Sequence, residues 1–183
     1  MKTIIFYDTE TTGLPLFKEP SEHPGQPHIV QLAAELCEEE TGKTLGAMNL
    51  IIKPEGWVMS PEALETHGIS EDFADRVGVP ARAAMDTFLE LWTNADVRCA
   101  HNETFDARLL RIAIMRCAYW SMEAMQTSAG EVPFADYWKQ GASFCTQTNS
   151  TKILMLPPTE KMAAKRMTGP KSPNLGEAYY HFT

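Results

Sequence analysis

Apolar residues open the chain as an unbroken run, Ile4-Ile5-Phe6-Tyr7, that leads straight into Asp8. A short run of this kind predicts a central strand over Lys2 to Asp8, covered on both faces. Leu14 to His28 carries Pro15, Pro20, Pro24, Pro27 and Gly25 and reads as a loop. Ile29 to Cys37 and Thr44 to Lys53 then read as two strands, joined by a turn through Glu38-Glu39-Glu40-Thr41-Gly42-Lys43. A strand followed by a hairpin predicts an antiparallel half-sheet.

Beyond that point the period changes to that of helices. Ser60-Pro61-Glu62 predicts a helix start, with Ser60 as N-cap and Pro61 in the first turn, and the helix ends near His67-Gly68-Ile69. Met85, Phe88, Leu89 and Trp92 recur at helical spacing and predict a helix over Ala81 to Trp92. Val97 to Ala100 reads as a short strand and Thr104 to about Tyr119 as a helix. Residues 121 to 142 are weakly periodic and predict no element. Ser143 to Thr146 reads as a last strand, followed by a helix through Leu156 that Pro157-Pro158 terminates. Thr159 to Pro173 reads as a basic loop, and Leu175 to His181 as the beginning of a further helix. Three strands, then alternating helices and strands, specify an α/β domain with a mixed sheet.

Composition narrows the class. A chain of 183 residues that is 44% apolar builds one domain with a substantial core. No apolar stretch approaches the ~20 residues that span a bilayer, and the N-terminal run is too short for a signal peptide. The expectation is a cytoplasmic protein with no membrane partner. Cys37, Cys99, Cys117 and Cys145 form no Cys-x-x-Cys pair, which argues against zinc and for reduced, buried thiols. A net charge of −8 argues against a broad basic surface for duplex binding. Lys161, Lys165, Arg166 and Lys171 form a basic stretch that reads as a solvated loop or a phosphate contact.

Asp8 and Glu10 are the first candidate chemistry. If the strand continues through them, the two carboxylates share one face. Like charges ~4 Å apart repel by roughly 4 kcal/mol at an effective dielectric of 20, and a hard divalent cation turns that repulsion into attraction. Asp106 is the second candidate. It shares a helix face with Leu109, Leu110, Ala113 and Cys117, so its charge needs a partner. A plain reading stands beside each: a polar strand end, and a first-turn Asp favoured by the helix dipole.

The segments Phe6-Tyr7-Asp8-Thr9-Glu10-Thr11-Thr12-Gly13-Leu14 and Ala100-His101-Asn102-Glu103-Thr104-Phe105-Asp106-Ala107-Arg108-Leu109-Leu110 together resemble the first two motifs of the DEDD (DnaQ-like) 3′–5′ exonucleases. That resemblance implies a ribonuclease H-like fold, with a mixed five-stranded sheet flanked by helices and its first three strands antiparallel. It implies hydrolysis at the 3′ end of single-stranded DNA or RNA with two Mg²⁺ or Mn²⁺ ions. Asp8 matches the carboxylate that bridges both ions, Glu10 a ligand of the first and Asp106 a ligand of the second, and the same three are the implied catalytic residues. Thr9, Thr11, Leu14, His67, Asn102 and Phe105 are the implied substrate contacts. Leu14 would wedge against the terminal base. Asn102 would bond backbone at the strand-to-helix turn. His67 either lines the cleft or, with Gly68, simply ends a helix. His101 matches no base of the family.

The family's third motif, His-x4-Asp or a Tyr variant, has no counterpart: His181 is followed only by Phe182 and Thr183. Three readings stand open: a shortened chain or split gene, a short form that binds without catalysis, or a helix supplied by another polypeptide. The expectation is a chain weakly active or inactive alone, with its C-terminal helix missing. Sheet surface left bare by that helix would promote self-association.

Overall fold

A computed structural model of the protein describes residues 1–117, 125–127, 130–132, 134–138 and 140–183. Its first strand, β1 (Thr3–Thr11), outruns the apolar stretch that predicts it and continues through Asp8 and Glu10. β2 (Ile29–Glu38) runs antiparallel to β1, and β3 (Thr44–Ile51) antiparallel to β2. β4 (Val97–Ala100) pairs with β1 in parallel. A small separate sheet pairs β5 (Met125–Thr127) with β6 (Gly130–Val132), and β7 (Ala142–Cys145) extends the main sheet in parallel beside β4. The main sheet is five-stranded and mixed, in the order β3-β2-β1-β4-β7.

The connecting helices are α1 (Pro61–His67), α2 (Glu71–Val77), α3 (Ala81–Trp92), α4 (Glu103–Arg116), α5 (Phe134–Tyr137), α6 (Thr146–Leu154), α7 (Glu160–Ala164) and α8 (Leu175–Phe182). Ser60 caps α1 by accepting the Ala63 N–H, with Pro61 in the first turn. α3 buries Ala84, Met85, Phe88 and Leu89 against β2 and β3. α4 packs along β1, β2, β4 and β7. Together they cover one sheet face, where Ile5, Tyr7, Leu32 and Met48 meet Phe88 and Leu110 in a single core. Tyr7, Phe88 and Trp138 meet edge to face there, with ring centroids 5.8 to 6.3 Å apart.

Burial on both faces, predicted for the first strand, is not found. The register sets Ala47, Glu35, Phe6, Cys99 and Phe144 side by side on the opposite face, where Phe6 is 42% and Phe144 47% exposed. The apolar run gave no period that could separate the two faces. Three helices also went unpredicted, among them the four-residue α5 in the weakly periodic stretch. α2 buries only Ala74, so it has no apolar stripe, and α7, inside the expected loop, buries nothing and starts at a Thr159 cap. The helix expected from Thr104 begins at Glu103 and ends at Arg116; Tyr119 lies outside the described residues. The four cysteines are free thiols, but Cys117 and Cys145 are only half-buried. No described helix is long and apolar enough to cross a membrane.

Candidate active site

The site forms where β1 outlives its neighbour. β4 pairs only with Ile4, Phe6 and the residue between them, so the later half of β1 has no strand on that edge. Asp106, in the first turn of α4, stands in for the missing ladder partner. Its Oδ1 accepts the Thr9 amide at 3.0 Å and the Thr9 hydroxyl at 2.7 Å. Asp106 is 2% exposed. Burial pushes its carboxyl up to about 7, against the pull of the Thr9 bonds and with the help of the Asp8 charge. Among the described residues, the Asp106 carboxylate is met by two uncharged donors, the amide and the hydroxyl of Thr9.

Asp8 and Glu10 project from the other face of β1, as period two requires. A register shift between Glu10 and Thr11 interrupts the pairing with β2 at this point, a distortion that re-aims side chains at strand ends. Glu10 is half-buried, and its carboxyl is held above the ordinary range by burial first and Asp8 second, with His67 opposing. Asp8 thus acts on a carboxylate to either side of it. Asp8 itself is exposed beside an open cavity of about 460 Å³ walled by Phe6, Cys99, His101 and Leu175. That cavity lies over the open face of the sheet, across the middles of β1, β2 and β3 and the end of β4.

The other implied contacts divide. Thr9 is buried beneath Asp106 as its support. Thr11 is buried too; its hydroxyl donates to the Gly13 carbonyl at 2.8 Å. His67 Nδ1 accepts the Ile69 N–H at 3.0 Å, so Nε2 carries the proton toward the Thr11 carbonyl, 3.2 Å away. His67 therefore joins the site while Gly68, in the left-handed region at φ 72°, ends α1. Leu14 stands 75% exposed on the loop. Phe105 packs against the core. Asn102 makes no side-chain cap bond among the described residues; its backbone is left-handed at φ 71°, which turns the chain from β4 into α4. His101 ties the end of β4 to later segments, its ring nitrogens each 3.0 Å from Thr146 Oγ1 and the Pro173 carbonyl.

A buried network beside the site was not predicted. The Tyr7 hydroxyl donates to Glu103 Oε1 at 2.9 Å, and Arg98 Nη2 lies 3.5 Å from the same oxygen. Arg98 also donates to the Trp138 carbonyl at 2.6 Å and lies over that ring. Only the apolar neighbours of Arg98 and Glu103 could have signalled burial, and nothing local pairs them.

Asp8, Glu10 and Asp106 offer the carboxylate oxygens that a hard divalent cation prefers, and burial together with the Asp8 charge raises the carboxyls of Glu10 and Asp106. Among the described residues, however, no three His, Cys, Asp or Glu side chains converge closely enough to hold a metal ion.

Strand order and the carboxylates at the end of its central strand define a ribonuclease H-like domain. A family model described as exonuclease, RNase_T, matches residues 5–154, and the chain belongs to this family of DEDD exonucleases. No curated protein matches it by sequence. Solved structures share the fold at low identity. Apo exonuclease I superposes with a TM-score of 0.63 at 20% identity over 87% of this chain and 32% of that one. E. coli exonuclease I in complex with a 5cy-dA13 oligonucleotide gives 0.69 at 18% over 98% and 36%, and its dT13 complex gives 0.65 at 18% over 98% and 39%. The chain spans about a third of the length of these structures.

Proposed function

We propose that the protein is a metal-dependent 3′–5′ exonuclease acting on single-stranded DNA or RNA, with Asp8, Glu10 and Asp106 as metal ligands. The observation that carries this reading is the position of Asp8, whose charge bears on both Glu10 and Asp106 at the mouth of an open cavity. Bound Mg²⁺ or Mn²⁺ ions would supply a low-pKa water and neutralise charge on the leaving oxygen. The chain's own residues set the stage for that chemistry. Thr9 holds Asp106 by two bonds, so the carboxylate keeps its place at the edge of β1. His67 fixes the Thr11 carbonyl and, through it, the turn that carries Leu14 into solvent. In this reading Leu14, exposed on that turn, would meet a terminal base.

The test is shortening of a 5′-labelled oligonucleotide, DNA and RNA in parallel, with Mg²⁺, Mn²⁺ or EDTA. A ladder growing from the 3′ end, absent in EDTA and in Asp8→Ala, supports the proposal; equal cleavage by Asp8→Ala refutes it.

The lack of three converging ligands among the described residues favours a second reading, a nucleic-acid-binding module that keeps the fold without catalysis. It predicts oligonucleotide binding in EDTA and no shortening under any metal condition.

A further inference from the structure

We propose that the cavity between α4 and the loop after β1 is a second contact site for single-stranded nucleic acid, taking a backbone phosphate on Arg108 and stacking a base on Phe17. The substrate class rests on the exonuclease reading; the site itself rests on its own residues. Thr104, Ala107, Arg108 and Arg111 share the face of α4 turned away from Leu109 and Leu110. That face lines an open cavity of about 600 Å³, with Phe17 and Arg98 across it.

The charges of this cavity do not all cancel. Arg98, 6% exposed, lies 3.5 Å from Glu103. Arg111 is 2.8 Å from Asp136 and 3.9 Å from Glu22. Arg108 has no carboxylate within ion-pair distance among the described residues. Its Nη2 donates instead to the Leu16 and Glu19 carbonyls, at 3.0 and 2.7 Å, and its guanidinium lies 5.7 Å from the Phe17 ring centroid. The Nε atoms of both Arg98 and Arg108 are buried without an acceptor among the described residues. Buried donors left unpaired are costly, but both Nε atoms are closed to the cavity, so a phosphate oxygen would meet the exposed end of the Arg108 guanidinium. Phe17, 64% exposed and backed by a cation, is a platform on which any base can stack. Arg108 follows Asp106 by two residues, and Phe17 lies on the loop that leaves Glu10, so the cavity and the carboxylates share a helix and a loop.

The test is fluorescence anisotropy of labelled dT4 and dT12 on the full chain in EDTA at several salt concentrations, with thymidine 5′-monophosphate as competitor. Arg108→Gln should weaken dT12 binding about tenfold and lower the salt slope by about one. Phe17→Ala should weaken it about fivefold or more with the slope unchanged. Arg108→Lys, which keeps the charge but not the planar guanidinium fork, covers the case in which Arg108→Gln fails to fold, and should bind more weakly at the wild-type slope. Wild-type affinity and slope in the folded Arg108 variants and in Phe17→Ala would overturn the proposal, as would no binding by the wild-type chain. Full competition by the mononucleotide would assign the site to released product and overturn the strand contact. Hydrolysis in Mn²⁺ is read on the same proteins. Its absence, with the Arg108 dependence of binding intact, would remove the exonuclease reading alone.

Discussion

Thr9 gives both its amide and its hydroxyl to one oxygen of Asp106, at 3.0 and 2.7 Å. The pair joins the first motif to the second across the bare edge of β1, because Thr9 points away from Asp8 and Glu10 and toward α4. Thr9→Val keeps shape and backbone but removes the hydroxyl. The variant should lose about 1.5–3 kcal/mol, the range for a hydrogen bond to a charged group, in urea unfolding at pH 8. NMR should show the Asp106 carboxyl titrating higher in Thr9→Val than in the wild type, where burial already pushes it up to about 7. An unchanged titration would mean that the bond does not hold the carboxylate.

The buried Glu103 accepts the Tyr7 hydroxyl and pairs with Arg98, and these contacts are unequal in consequence. Burial, with the Glu103 charge behind it, holds the Tyr7 phenol far above its ordinary range. Tyr7→Phe removes one hydrogen bond to a charged carboxylate and should cost about 1.5–3 kcal/mol. Glu103→Ala leaves Arg98 buried and unpaired, and should cost about 3–5 kcal/mol. Equal melting shifts for the two variants would show that Arg98 finds solvent or another acceptor.

Much of this arrangement was readable along the chain. The hairpin is legible because Ile29–Cys37 and Thr44–Lys53 flank a turn rich in polar residues, and α3 because Met85, Phe88, Leu89 and Trp92 make a stripe. Asp106 is legible as buried because it shares a face with Leu109 and Leu110, both closed to solvent. α2 and α7 are held by Ser70 and Thr159 caps with almost no burial, so they leave no hydrophobic trace. The role of Thr9 and the Arg98–Glu103 pair depend on strand register and on where β4 stops. Those are long-range facts that no local pattern carries.

Gly78 marks such a long-range constraint. Where α2 ends, Val79 exchanges backbone bonds with Ile51 and Lys53 at 2.9 Å. A Cβ on Gly78 would lie 2.4 Å from the Ala74 carbonyl oxygen and 2.7 Å from the Lys53 nitrogen. Both are backbone atoms that cannot swing aside. Gly78→Ala should therefore cost about 1–3 kcal/mol through overpacking. Gly56→Ala is a fitting control: its site is open and only its φ of 82° is strained. If the two variants melt together, the crossing at Gly78 is looser than described.

The half-buried His28 and the buried Asp106 pull stability in opposite directions across the same acid range. His28 is held down to about 4, by burial first and the Arg116 charge second. Its ordinary value is 6.5, so the unfolded chain takes up a proton before the folded one does. Stability from the neutral ring is complete above pH 6.5 and is lost as pH falls toward 4. Asp106 is raised from 3.8 to about 7, so here the folded chain takes up the proton first. Its effect is the reverse: without metal, stability is greatest below pH 3.8 and declines as pH rises to 7. The wild-type profile between pH 4 and 7 is then a partial cancellation, and single variants should expose each limb. His28→Leu should flatten the acid loss and leave a chain that becomes more stable as pH falls from 7 toward 4. Asp106→Asn should remove the loss at higher pH, leaving a chain steadily less stable below pH 6.5 and more stable than wild type at pH 8 by a few kcal/mol. Urea midpoints in EDTA at half-unit pH steps measure both. Parallel profiles for wild type and both variants would show that neither group is buried as described.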